Sequence, residues 1–413
     1  MFFGLFGVVM AFSTAMAQTF KSLEYIQSIS GKKTIAGQEA RQYWGTMKTI
    51  TGDYPGLWGE DFSFSPWGNT SSMSAWRSLI TKEAKLRWND GALISLMFHA
   101  CPPTQAEPCN WDGGVISKLT NDEWTELITD GTTLNSNWKA RLDKIVPYLQ
   151  DLKDNQVEVL FRPFHEMNQG LFWWAGRPGA NGTAKLFQIT HDYLKITKGL
   201  TNLVWVWNLQ DFSTLSNDLE NYDPGSDYWD ILALDVYWSD GTGYTSSKYT
   251  KILKKAGDKP IAIGECGVLP KSNELMAQPR WAFFMGWSEL TQQKNTNAVI
   301  SEVYNASNVY TLSDMSGWIT SGLEKMESSS DDFFVYSNPS VIGDIQLAIE
   351  LTETKTVCLS IYDLNGGLVD VIENKSLMPG RYLYALKKEL NTGIYFARMQ
   401  TETYSKIEKI VVV

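Results

Sequence analysis

Two glutamates stand at the ends of two apolar segments, 99 residues apart. The first closes Val157–Glu166 (VEVLFRPFHE), a strand-like run that breaks at Arg162-Pro163 and ends on His165 and Glu166. Phe172, Trp173 and Trp174 follow at once. The second closes Lys259–Glu265 (KPIAIGE). One carboxylic acid that gives up a proton and one carboxylate that attacks are the minimum set for cleaving a glycosidic bond. Aromatic rings beside such an acid suit a sugar, whose C–H faces are apolar while its hydroxyls need polar partners.

Two strand ends can meet only if the fold gathers them, and the pattern of the chain supplies such a fold. Apolar runs at Thr34–Glu39, Pro55–Phe62, Ala92–His99, Val157–Glu166, Leu203–Asn208, Ile231–Trp238, Pro260–Glu265 and Trp281–Glu289 read as strands. Helical patterns intervene at Met73–Trp88, Asp122–Asp154, Ala184–Gly199 and Ser246–Ala256. Eight strands alternating with helices or loops predict a (β/α)8 TIM barrel, in which catalytic groups sit at the C-terminal strand ends. No Gly-x-Gly-x-x-Gly loop follows the first strand, which disfavours a dinucleotide fold. At 413 residues the chain exceeds one barrel by a small domain. Near residue 327 the pattern changes to period-2 alternation, with Val357, Leu359 and Ile361 on one face and turns at Gly366, Gly380 and Gly393. The expected organisation is a signal segment 1–17, a catalytic barrel 18–326, a linker 327–334 and a C-terminal β-sandwich 335–413.

Composition narrows the function. A net charge of −10 argues against nucleic acid as a partner, since polyanions attract basic patches. The three histidines form no spaced ligand cluster, so neither a metal nor another cofactor is expected. With 17 Trp the chain has rings to spare for a carbohydrate groove, and Trp44, Trp58, Trp67, Trp111 and Trp238 are each groove or core. His191, mid-helix, reads as a surface or packing residue. The first 17 residues carry an apolar core and Ala15-Met16-Ala17 as a cleavage site, although no Lys or Arg precedes the core. The alternative there is a buried N-terminal helix. No later run is long enough for a membrane span. Cys101 and Cys109 share a Pro-rich loop and are expected to pair in an oxidising compartment, whereas Cys266 and Cys358 read as free, buried thiols.

The motifs, taken in order, bear a resemblance. Arg162–Asn168 (RPFHEMN) with Phe172-Trp173-Trp174 resembles the acid/base motif of glycoside hydrolase family 26, and Ile263–Gly267 (IGECG) its nucleophile motif. The likeness runs over roughly residues 22–320, through Gly37-Gln38, Gly59–Asp61, Phe98-His99, Trp205–Asn208, Asp235–Trp238 and Phe284–Trp287. It implies a retaining (β/α)8 barrel acting on internal bonds of β-1,4-mannan, glucomannan or galactomannan, with Glu166 as general acid/base and Glu265 as nucleophile. It further implies that His99 and Trp287 line the central sugar site and that Tyr237 stands beside the nucleophile. His165 would hydrogen-bond the nucleophile or the sugar, and Arg162 and Asp235 would support. Family members usually carry Trp where this chain has Leu171, so that sugar contact is either lost or supplied by Trp173; Trp173 and Trp174 are both expected among the substrate-binding residues. A β-glucanase or β-1,3-xylanase on the same scaffold is the near alternative, and a non-catalytic glycan binder, which would be expected to lack one glutamate, the distant one. The tail resembles the sorting domain of the type IX secretion system, through Ser337–Ser340, Ile361–Gly366, Gly393–Tyr395 and Lys409–Val413. That resemblance implies a secreted or cell-surface protein handled by that machinery. A carbohydrate-binding module, the other reading of the tail, needs an aromatic platform, and the tail holds no Trp.

Overall fold

The structure is a computed structural model that describes residues 19–63, 73–315, 317–319, 331–336, 345–351, 353–378, 380–386, 388 and 390–412. The expected signal segment, Trp67 and the first half of the expected linker lie outside these residues.

Eight parallel strands form the first unit: β1 (Thr34–Glu39), β2 (Leu57–Asp61), β3 (Leu93–Met97), β4 (Val159–Arg162), β5 (Leu203–Gln210), β6 (Ile231–Val236), β7 (Ile261–Cys266) and β8 (Trp281–Gly286). Each pairs with the next, and β8 pairs with β1 through Ile35 opposite Phe283, so the sheet closes on itself. A two-residue strand, β9 (Val309–Tyr310), adds to β1 from outside the ring. Period-2 alternation sorts the strand side chains. Ile94, Leu96, Phe161, Trp205, Trp207, Leu232 and Ile263 join the layer beneath the helices. Leu93, Leu160, Val204, Val206, Ala233, Ala262 and Phe283 form a second buried cluster, the barrel interior, with Phe20 and Ile26.

Several expected boundaries move. The fourth strand stops at Arg162 rather than Glu166 because Pro163 offers no N–H to a ladder, and β8 stops at Gly286. The expected helix 122–154 is three helices, Asn121–Ile128, Thr133–Asp143 and Val146–Asp154. Gly131, at φ 79°, turns the chain, and Thr132 caps the second helix by accepting from the Asn135 N–H. Pro147 opens the third, where a missing N–H costs nothing. The helix at Thr183–Asp192 ends in one π turn, Tyr193–Thr197.

The tail is a separate antiparallel unit. One sheet joins Asp332–Tyr336, Gln346–Leu351 and Gly380–Ala385, and the other joins Leu368–Leu377, Lys355–Asp363, Gly393–Gln400 and Ser405–Val412. Its own core holds Phe333, Leu347 and Ile349 from the first sheet and Val357, Leu359, Ile361, Ala397, Met399 and Ile410 from the second. The first strand begins at Asp332, inside the expected linker 327–334. Cys266 is buried as expected, but Cys358 is only half-buried.

Candidate active site

The C-terminal ends of β4 to β7 deliver the charged groups to one place. Beyond Pro163 the chain turns, and Glu166 takes φ 50°, a left-handed conformation rarely adopted by a residue with a side chain. Asn208, on β5, holds it there: its Oδ1 accepts the Glu166 N–H at 2.8 Å, and its Nδ2 donates to Asp235 at 2.8 Å. Asp235 on β6 pairs with Glu265 on β7 across a register shift between Leu234 and Asp235. Such an irregularity re-aims side chains locally. Gly264 makes this possible, since a Cβ there would come within 2.5 Å of Asn208 and 2.6 Å of Asp235.

Glu166, Asp235 and Glu265 each place one oxygen within 4.8 Å of the others, and all three are buried. Three such oxygens could hold a cation, but Arg162 stands among them and already supplies positive charge. Its Nη2 donates to Glu265 at 2.7 Å and lies 3.4 Å from Asp235. The Tyr237 hydroxyl donates to the other Glu265 oxygen at 2.9 Å. Glu265 is therefore held by two donors, one of them a guanidinium. Glu166 sits in the opposite environment. Burial, followed by the negative charges of Asp235 and Glu265, holds its carboxyl well above the usual range. Gln169 Nε2 contacts its Oε2. Two carboxyls side by side in such unlike surroundings can divide attack from proton transfer.

The histidines form a wall beside this pair. His99 Nδ1 lies 2.7 Å from Asp61 Oδ2, a contact that assigns the proton to Nδ1. The His165 ring meets His99 edge-on at 4.4 Å and is packed by Phe172 at 4.9 Å. Its Nδ1 is buried with no hydrogen-bond partner among the described residues. Burial, then the charges of His99 and Arg162, holds His165 well below the usual imidazole range, hence neutral. Of the two partners expected for His165, the nucleophile or the sugar, the nucleophile is bonded by Arg162 and Tyr237 instead.

The tryptophans divide differently from the expectation. Trp173 and Trp174 are fully buried, and their indole N–H groups donate to the backbone carbonyls of Ala100 and His165 at 2.7 and 3.0 Å. They brace the loops from behind and present no face to a ligand, so neither replaces the ring missing at Leu171, which is 45% exposed. Trp287 is half-buried, following β8. Trp44 and Trp58 are core, whereas Trp111 and Trp238 are exposed. His191 is buried, packed on Trp205 at 4.9 Å. The Cys101 and Cys109 sulfurs are bonded, closing the loop that precedes Trp111, whose ring lies 5.1 Å from His99. Sequence reasoning missed Asn208, Asp61 and Gln169 as site residues. The first two belonged to motifs already noted, and strand-end polar residues buried in a barrel were the available signal.

The sequence profile described as glycosyl hydrolase family 26 matches residues 12–314. The chain belongs to that family. Among relatives, a mannan endo-1,4-beta-mannosidase of Thermothelomyces thermophilus is 31% identical over 309 residues, 71% of this chain and 61% of that protein. A mannan endo-1,4-beta-mannosidase of Bacillus subtilis is 29% identical over 59% of this chain and 69% of its own length. The chain thus spans about three fifths of the fungal relative. Among solved family 26 structures, GH26A from Muricauda sp. superposes with a TM-score of 0.67 at 34% identity, covering 73% of this chain and 98% of that one. The Podospora anserina GH26-CBM35 beta-(1,4)-mannanase gives 0.60 at 30% identity, covering 72% and 66%. Residues 335–413 match a secretion system C-terminal sorting domain.

Proposed function

We propose that this chain is an exported, retaining endo-1,4-β-mannanase, in which Glu265 attacks and Glu166 serves as acid and then base. The observation that carries the reaction class is the carboxylate separation. The oxygens of Glu166 and Glu265 approach within 4.8 Å. A retaining site keeps its carboxyls about 5–5.5 Å apart, whereas an inverting site needs about 6.5–9.5 Å to admit a water. In the first step a Glu265 oxygen bonds to the anomeric carbon while Glu166 protonates the departing glycosidic oxygen. In the second, Glu166 takes a proton from water, whose oxygen displaces Glu265 from the sugar. Arg162 and Tyr237 bond the two Glu265 oxygens and keep the carboxyl aimed. The choice of mannan is supported by the activities named for the relatives. Export through the type IX machinery is supported by the C-terminal match, and no helix among the described residues is long and apolar enough to cross a membrane.

The test is a panel of mannan, glucomannan, galactomannan, lichenan and β-1,3-xylan, with product sizing and nuclear magnetic resonance of the first product. Short and medium manno-oligosaccharides released early, carrying the β-anomer, are the expected result. Preferential cleavage of lichenan or xylan would reassign the substrate, and an initial α-anomer would reject retention.

A further inference from the structure

We infer that Trp238 is a sugar-stacking platform, a subsite for a pyranose ring of the bound chain other than the one under attack. The inference rests on the glycan-cleaving function proposed above and deepens it. Trp238 follows Tyr237, whose hydroxyl binds Glu265. It is 47% exposed and adopts φ 62°, a left-handed conformation that a bulky side chain adopts only when its surroundings enforce it.

The enforcing group is buried beneath it. Asp211, with no exposed surface, accepts the N–H groups of Tyr237, Trp238 and Ser239 at 3.2, 3.1 and 3.0 Å. Lys248 neutralises Asp211 at 2.7 Å and also donates to the carbonyls of Thr242 and Gly243 at 2.7 and 3.0 Å, fastening the far side of the loop. The indole lies against Gly243. A Cβ there would sit 3.1–3.2 Å from its Cε2, Cζ2 and Nε1 atoms, so the missing side chain is what gives the ring its seat. A buried ion pair and a strained backbone thus hold a large apolar ring in solvent rather than in the core. Burial alone favours the reverse arrangement.

The platform is also tied to the reacting groups. Gln210 Nε2 donates to Ser239 Oγ at 3.0 Å, and Asn168, two residues past Glu166, binds both the N–H and the carbonyl of Gln210 at 2.8 and 2.9 Å. One edge of the Trp238 loop therefore continues to Glu265 through Tyr237, and the other to the Glu166 turn. A ring stacked on Trp238 belongs to the same glycan chain that the carboxylates cut.

The experiment uses the full chain and three variants, Trp238→Ala, Trp238→Phe and Gly243→Ala, assayed on an aryl mannobioside, manno-oligosaccharides of three to six units, and linear mannan. Trp238→Ala should lose kcat/KM progressively with substrate length, by about tenfold on the longest oligosaccharide and less than about twofold on the aryl substrate. Trp238→Phe, which keeps a flat ring, should recover most of that loss, and Gly243→Ala, which crowds the indole by a few tenths of an ångström, should reproduce part of it. Equal loss at every length would make Trp238 a prop for Tyr237, and no loss at any length would make it an idle surface ring; either overturns the platform. If the protein cleaves a glucan or xylan instead, the proposed substrate fails. The same length series made from that glycan then decides the platform separately.

Discussion

Asn208 holds Glu166 by its backbone, accepting its N–H at 2.8 Å while donating to Asp235 at 2.8 Å from the same amide. The side chain on β5 thereby sets the position of the acid against the carboxylates on β6 and β7. Asn208→Ala should lower kcat/KM about 10²-fold, the order of loss that follows a displacement of about 1 Å at reacting groups. Asn208→Asp keeps the acceptor for Glu166 but sets a carboxylate against Asp235, and should be no better. Steady-state rates of a folded Asn208→Ala protein that match wild type would remove Asn208 from the site.

The division of labour between the glutamates is separable by azide. Glu265→Ala should be inactive on every substrate. Glu166→Ala should retain cleavage of aryl mannosides with good leaving groups, while losing about 10²–10⁴-fold on poor ones, the usual worth of general acid help. Azide should yield the α-mannosyl azide from the Glu265 variant and the β-azide from the Glu166 variant. The reverse pattern exchanges the roles.

Glu166 also predicts a pH dependence of stability. Its carboxyl is raised in the folded state, first by burial and then by Asp235 and Glu265. The unfolded chain binds its proton less tightly, so the folded state is favoured at low pH and loses that advantage as pH rises from the ordinary carboxyl range towards the folded value. Glu166→Gln does not titrate. Its thermal midpoint should match wild type near pH 4 and exceed it increasingly towards neutral pH. A gain that is constant with pH would mean that Glu166 is not held protonated.

Removal of the tail tests its independence. Its core is built from its own two sheets, and none of the gathered site residues lies beyond Trp287. Truncation after residue 327 should leave kcat and KM on soluble mannan within about twofold of wild type. In a host that carries the matching secretion system, the truncated protein should stay in the periplasm. Normal export without the tail would refute the sorting role, and a tenfold or larger loss of kcat/KM, about 1.4 kcal/mol, would place the tail in the site.

The barrel was legible because each buried parallel strand is a short apolar run, and Thr34–Glu39 was read to the residue. The two glutamates were legible because each follows such a run. What escaped was set by tertiary neighbours. Nothing in the sequence around Asn208 announces that its amide faces a turn 42 residues earlier. Trp173 and Trp174 were read as ligand-facing from type and proximity, yet their N–H groups are spent on backbone carbonyls, which only packing decides. The run 122–154 kept an unbroken helical pattern because Gly131 and Pro147 interrupt the backbone without interrupting the apolar spacing.

The burial of Trp173 and Trp174 has an evolutionary consequence. The segment after Glu166 combines a clamped part, whose indoles cannot change without freeing the carbonyls of Ala100 and His165, with a tip at Leu171 that is 45% exposed. Variation at the clamped part unsettles the histidine wall, whereas variation at the tip leaves it standing. Leu171 is thus a position where sequence can drift, one codon at a time, while the indoles that clamp the carbonyls of Ala100 and His165 stay fixed.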